Sequence, residues 1–184
     1  MRYYSTKNRH QAYSLKEAVL LGLPEDNGLF MPERIPFLSA SFLKTLTQRS
    51  LSDIAFEVSK EWFGSDIPED EINRMVASAY DFDTPLVSLS SDTSVLELFH
   101  GPTLAFKDVG ARFMARLMSW LVRGQDRKLT ILVATSGDTG SAVASGFFGM
   151  DNIDVVILYP SGKVSLSQEK QLTTWGGNIR AMEV

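Results

Sequence analysis

The rhythm of the last third of the chain constrains its fold more than any other feature. An apolar run at 129–134 is broken by TSGDTG, and a small-residue helical stretch follows at 141–149. A second apolar run at 154–159 is broken by PSGKVS, and a second helical stretch follows at 166–175. After Gly176, Gly177 and Asn178 a third run begins at Ile179. Apolar runs alternating with helical segments specify a parallel sheet with helices crossing between its strands. Binding sites in such sheets lie beyond the carboxyl ends of the strands, where both broken stretches fall. The expectation is an α/β architecture in which 129–184 form a βαβαβ subdomain.

The rest of the chain reads differently. Ser14 and Glu17 make a capping-box pattern ahead of an apolar run, and Gly22 and Pro24 stop it, so a short helix is expected over 15–21. In DNGLFMPERIP the Asn27-Gly28 pair signals a turn and Pro32 and Pro36 oppose regular structure. This stretch reads as a loop anchored to a core by Leu29 and Phe30. Residues 39–80 carry helical spacing, with Leu51, Ile54, Ala55, Val58 and Trp62 on one stripe. Ile72, Met75, Val76, Ala79 and Tyr80 form another beyond Gly64 and Pro68, and both stripes read as core. LVSLS and SVLELF read as a hairpin turned at Ser91, Asp92 and Thr93. A helix follows over 108–122, apolar nearly all round, with Arg112 and Arg116 read as an exposed stripe. A mainly helical region at 1–84 therefore precedes an α/β region at 85–184.

Composition narrows the function classes. A chain of 184 residues with 44% apolar and 22% charged residues has globular proportions, which opposes disorder and membrane residence. Net charge −4, with no local Lys/Arg cluster, opposes nucleic-acid binding. Cysteine is absent, and His10 and His100 lack the spacing of a metal pair, so no metal site is expected. MRYYSTKNRHQAYS has no signal-peptide core and VVILY is far too short to span a bilayer, which points to the cytoplasm. A small-molecule site is expected.

The candidate chemistry centres on FHGPTLAFKD. Lys107 stands where a Gly-Pro segment gives way to a helix, among Leu104, Ala105, Phe106, Val109, Ala111 and Phe113. Desolvation disfavours an ammonium ion, as does a helix N-terminus, and a neutral amine can condense with a carbonyl compound. A merely solvated lysine is the ordinary alternative. In TSGDTG, glycines and hydroxyls ahead of a helix suit a carboxylate or phosphate, although plain capping by Ser136, Asp138 or Thr139 fits equally. Asp138 opposes an anion unless it is paired or turned away. Ser161, Gly162 and Lys163 offer hydroxyl and cation at the next strand end, where Lys163 serves a phosphate or is simply solvated.

Taken together, FHGPTLAFKD, ATSGDTGSA and PSGKVSLSQEKQ resemble the ordered motifs of threonine synthases, and GLPEDNGLFMPERIP resembles their amino-terminal region. The resemblance covers the whole chain. It implies the fold-type II pyridoxal-phosphate architecture, a three-layer α/β fold of the tryptophan synthase β-like kind, here incomplete. It also implies conversion of O-phospho-L-homoserine and water to L-threonine and phosphate. Lys107 would hold the cofactor and move protons at the substrate's α and β carbons, with Phe106 and Asp138 also contacting the cofactor. Ser136, Gly137, Asp138 and Thr139 would surround the substrate carboxylate and cofactor ring, and Lys163 with Ser161 would meet the substrate phosphate. His100 is expected to be structural. Threonine synthases are about twice this long or more, so the resemblance implies an amino-terminal portion without the family's cup for the cofactor phosphate. Such a portion is expected to bind cofactor poorly and to have little or no activity alone. A serine/threonine dehydratase of the same fold, or a non-catalytic module binding a phosphorylated metabolite, are the competing readings.

Overall fold

A computed structural model describes all residues from Met1 to Val184, in two compact units, Met1–Ser78 and Ala79–Val184. In the first unit, β1 (Tyr3–Ser5) pairs antiparallel with both β2 (Asn8–Tyr13) and β3 (Phe30–Pro32), giving the order β2-β1-β3. This sheet corrects the loop expected around Pro32. The residue sits at the end of an edge strand, where proline's missing donor is tolerated. The Leu29 side chain is exposed and only its backbone is tied, to Thr6, whereas the Phe30 ring packs edge-on against Tyr13 at 4.9 Å. The buried Ser5 hydroxyl donates to Asp26 Oδ1 at 2.7 Å, and the Gly28 amide donates to the same oxygen at 2.8 Å. These two bonds hold the Asp26 carboxyl below its ordinary range, the hydroxyl having the larger effect.

Helix α1 (Leu15–Leu21) begins at the Ser14/Glu17 capping box and ends at Gly22, whose φ of 70° suits glycine. A short α2 (Ala40–Lys44), a single 3-10 turn (Leu46–Gln48), α3 (Leu51–Phe63) and α4 (Glu69–Ala79) complete the helical stretch. A second capping box, Ser50 with Asp53, starts α3. Ile72, Met75, Val76 and Ala79 are buried, as their spacing required, while the α3 stripe is half-buried. No helix is long and apolar enough to cross a membrane.

In the second unit, the hairpin β4 (Leu86–Ser88) and β5 (Ser94–Leu96) precedes α5 (Lys107–Leu121). Then come β6 (Leu129–Ala134), α6 (Asp138–Phe147), β7 (Ile153–Tyr159), α7 (Leu166–Thr173) and β8 (Ile179–Glu183). The three last strands form a parallel sheet in the order β6-β7-β8, with Val155 opposite both Ile131 and Ile179. Alternate residues of β7, from Ile153 to Tyr159, are buried, while Leu132 and Met182 lie exposed on the other face. Helices α5 and α6 approach so closely that a Cβ at Gly146 would stand 3.0 Å from the Ala111 carbonyl oxygen. A side chain there would require the two helices to give by a few tenths of an ångström.

Two expectations change in this unit. Arg112 is not on an exposed stripe: its side chain is only 11% exposed. Its Nε donates to the Ala79 carbonyl at 2.8 Å and its Nη2 meets Asp81 Oδ1 at 2.7 Å. Arg116 Nη1 donates to the Arg112 carbonyl at 2.9 Å, and burial, followed by the neighbouring Arg112 charge, pulls its guanidinium below the ordinary value. Both arginines are committed to structure. Helix α6, for its part, starts three residues before the expected 141. The Thr135 hydroxyl caps the amides of Gly137 and Gly140 at 3.1 Å each, so the turn can begin at Asp138.

Candidate functional site

The loop 101–106 delivers Lys107 to the first position of α5, and a buried acid fixes that delivery. Asp108 is fully buried, and its two carboxylate oxygens accept from the Thr103 amide and the Thr103 hydroxyl, each at 2.8 Å. A Cβ on Gly101 would come within 2.6 Å of Asp108 Oδ2, so the glycine is what lets the loop close over the acid. The Leu104 amide donates to the Gly101 carbonyl at 3.0 Å, and Leu104 sits at φ 60°, a strained turn position for a leucine. That turn leaves Leu104 72% exposed and Phe106 61% exposed, so the apolar enclosure expected around Lys107 is only partial. His100 Nε2 lies 2.7 Å from Glu97 Oε2 and its ring stacks on Phe99, outside the residues that line the cleft described next.

The Lys107 side chain is 30% exposed and runs along the mouth of two adjoining clefts. One, about 290 Å³, is lined by Lys107, Thr135, Ser136, Gly137, Asp138, Thr139 and Gln168. The other, about 430 Å³, is walled mainly by apolar groups, among them Phe106, Val109, Met114, Ala142 and Val143. Lys107 Nζ stands 3.7 Å from Asp138 Oδ2 and 4.4 Å from the centre of the Phe106 ring. The loop after β6 holds a backbone suited to an anion. Gly137 has φ 149°, and the amides of Ser136, Asp138 and Thr139 make no hydrogen bond within the chain at the positive end of α6. The carboxylate expected to oppose an anion there is paired, with Lys107 on Oδ2 and with Gln168 Nε2 at 3.3 Å on Oδ1.

Lys107, Phe106, Ser136, Gly137, Asp138 and Thr139 thus line one continuous pair of clefts. Ser161 and Lys163 do not line them. They lie exposed on the loop after β7, the neighbouring strand end, where Gly162 at φ 62° makes the turn. Thr135 and Gln168 are lining residues that sequence reasoning passed over. Threonine after a strand and glutamine in a capping box with Ser165 look like local structure and give no other signal. No three His, Asp or Glu side chains are grouped to hold a metal ion.

Comparison with known proteins follows the same line. Residues 2–80 match the family model described as the threonine synthase N terminus. Threonine synthase from Escherichia coli K12 is 41% identical over the whole chain, and that of Buchnera aphidicola subsp. Baizongia pistaciae is 43% identical. A crystal structure of PLP-bound threonine synthase from Brucella melitensis superposes on the entire chain with a TM-score of 0.93 at 39% identity. The chain is similar over its whole length to part of threonine synthases, and over residues 2–80 to their N terminus. The yeast threonine synthase structure agrees, with a TM-score of 0.90 at 34% identity over 99% of the chain. The chain spans about two-fifths of the length of these relatives: 42% of the E. coli protein, 43% of the Buchnera protein, and 41% and 40% of the two crystallised chains.

Proposed function

We propose that this chain supplies the lysine-bearing part of an enzyme that converts O-phospho-L-homoserine and water to L-threonine and phosphate with pyridoxal phosphate. The observation that carries the reading is the meeting of a primary amine with a hydroxyl- and amide-lined loop, Lys107 Nζ lying 3.7 Å from Asp138 Oδ2 at the mouth of the clefts. The residues fit such a cofactor. An aldehyde needs an amine, an aromatic ring needs apolar walls, and an amino-acid carboxylate needs unpaired amides; Lys107, the Phe106–Val143 cleft and the Ser136–Thr139 loop provide these.

Lys107 would hold the cofactor's aldehyde carbon, with Phe106 and Asp138 against the ring. Bound there, pyridoxal phosphate supplies an electron sink for charge developed at the substrate's α carbon. Ser136, Gly137, Asp138 and Thr139 orient the substrate carboxylate through backbone amides and hydroxyls. Lys107 Nζ holds and moves the protons at the α and β carbons, and Asp138 Oδ2 pairs with it whenever it is charged. Lys163 acts as a point charge for the substrate phosphate, helped by Ser161, from a loop at the adjacent strand end. In this reading the α/β region 85–184, with its 129–184 βαβαβ subdomain, carries the chemistry, in a cytoplasmic protein. The test is product analysis on the protein expressed from its complete reading frame. Phosphate released from O-phospho-L-homoserine, together with threonine, is expected. Ammonia released from threonine, without phosphate from phosphohomoserine, would make it a dehydratase instead.

A further inference from the structure

Gln168 is held at both ends of its side-chain amide. On one side its oxygen completes the α7 capping box, accepting from the Ser165 amide at 3.2 Å and the Ser165 hydroxyl at 3.1 Å. On the other its Nε2 donates to Asp138 Oδ1 at 3.3 Å, 30 residues back in the chain. The crossing is possible only because position 137 is glycine: a Cβ built there would collide with the Gln168 amide nitrogen. The φ of 149° is what requires glycine at 137, and the missing Cβ leaves room for the Gln168 amide. A glutamate at 168 would cap α7 equally well but would set a second carboxylate against Asp138. The glutamine is therefore specific to what lies across from it.

We propose that Gln168 is a positioning residue for Lys107. By gripping Oδ1 it orients the Asp138 carboxylate so that Oδ2 faces Nζ and the anion-receiving amides of the loop are left to the substrate. Gln168 touches neither the amine nor the reacting atoms; it acts through Asp138. This deepens the function proposed above and rests on it for its meaning in catalysis, but the arrangement itself is testable in the cofactor-free chain.

The experiment is a double-mutant cycle read by chemical labelling. The cofactor-free chain is treated with limiting acetic anhydride at fixed pH, and acetylation of Lys107 is measured by mass spectrometry against the exposed Lys163 as internal reference. A charge pair about 4 Å apart, screened as in water, shifts the balance between paired and free amine by roughly fivefold. Asp138→Asn should therefore raise Lys107 labelling about fivefold, and Gln168→Leu should raise it by at least half as much. In the Asp138→Asn background Gln168→Leu should add nothing, because its effect runs through the missing charge. Ser165→Ala, which removes the α7 cap while leaving the Gln168–Asp138 bond, should leave Lys107 labelling unchanged and so separates capping from positioning. Wild-type labelling in Gln168→Leu, an undiminished increase in the Asp138→Asn background, or a Ser165→Ala effect equal to that of Gln168→Leu would each overturn the proposal. Absence of phosphate and threonine from O-phospho-L-homoserine in the product analysis above would instead count against the proposed function and leave this cycle standing.

Discussion

Replacing Asp108 by alanine should loosen the loop that presents Lys107, and the cost can be worked from two hydrogen bonds. The carboxylate is fully buried and accepts from Thr103 N and Thr103 Oγ1, both at 2.8 Å. Thr103 is itself buried, so its amide and hydroxyl would lose their acceptor with little water to replace it. Leaving a buried donor unsatisfied costs about 1–3 kcal/mol, which puts Asp108→Ala at about 3–4 kcal/mol for the pair. Asp108→Asn retains an oxygen for the Thr103 amide and can donate to Oγ1, so about 1 kcal/mol is expected. The assay is urea unfolding followed by tryptophan fluorescence in a Trp62→Phe background, which leaves Trp120 and Trp175 as reporters of the 79–184 unit. With a slope of about 1.5 kcal/mol per molar urea, alanine should lower the midpoint by about 2 M and asparagine by less than about 1 M. An alanine shift under about 0.5 M would show that the two bonds do not hold the loop. Equal shifts for both variants would show that charge, rather than acceptor capacity, is what matters.

Two further outcomes concern helix starts and acid. Thr135→Val removes the oxygen that caps Gly137 and Gly140, so it should cost about 1–2 kcal/mol by the same unfolding assay and expose the start of α6 to amide exchange. Unchanged exchange at Gly140 would contradict this. In the 1–78 unit, the carboxyls of Glu17, Asp26 and Asp53 are all held below their ordinary values. The Ser14 amide leads for Glu17, and the hydroxyls of Ser5 and Ser50 lead for Asp26 and Asp53. A lowered folded value contributes stability that is complete above the unfolded value and is lost as pH falls through the folded one. The unfolding midpoint read from Trp62 should therefore decline as pH drops below about 4.5, the unperturbed glutamate value, and Ser5→Ala should flatten part of that decline. A midpoint that rises over this range would refute the sign.

What the sequence made legible was local. The Ser14/Glu17 box, the Gly64–Pro68 break and the strand–loop–helix alternation after 129 each draw on neighbours within a few residues, and each appears in the fold near its expected place. The β1–β2 hairpin and β3 were missed because NRHQAY has no apolar alternation and nearly all of it is exposed. What makes it a strand is pairing, including that of β1 with Phe30–Pro32 far along the chain. Arg112 was misread for the same reason, since its acceptor is the Ala79 carbonyl 33 residues earlier. At the site, the two motif stretches announced themselves by glycines and hydroxyls, but the residues that orient them did not. Asp108 beside a lysine looks like a solvated acid, and Gln168 behind a serine looks like a helix cap. Only the folded chain places Thr103 on the first and Asp138 on the second.

The most direct test of the role given to Lys107 is reductive trapping. The purified chain is mixed with pyridoxal phosphate, reduced with borohydride and mapped by mass spectrometry. Even where uptake is weak, the pyridoxyl label should concentrate on Lys107 above every other lysine and disappear from that peptide in Lys107→Ala, with the remaining lysines unaffected. Label spread evenly over Lys107, Lys163 and the other surface lysines would contradict a site built around this amine.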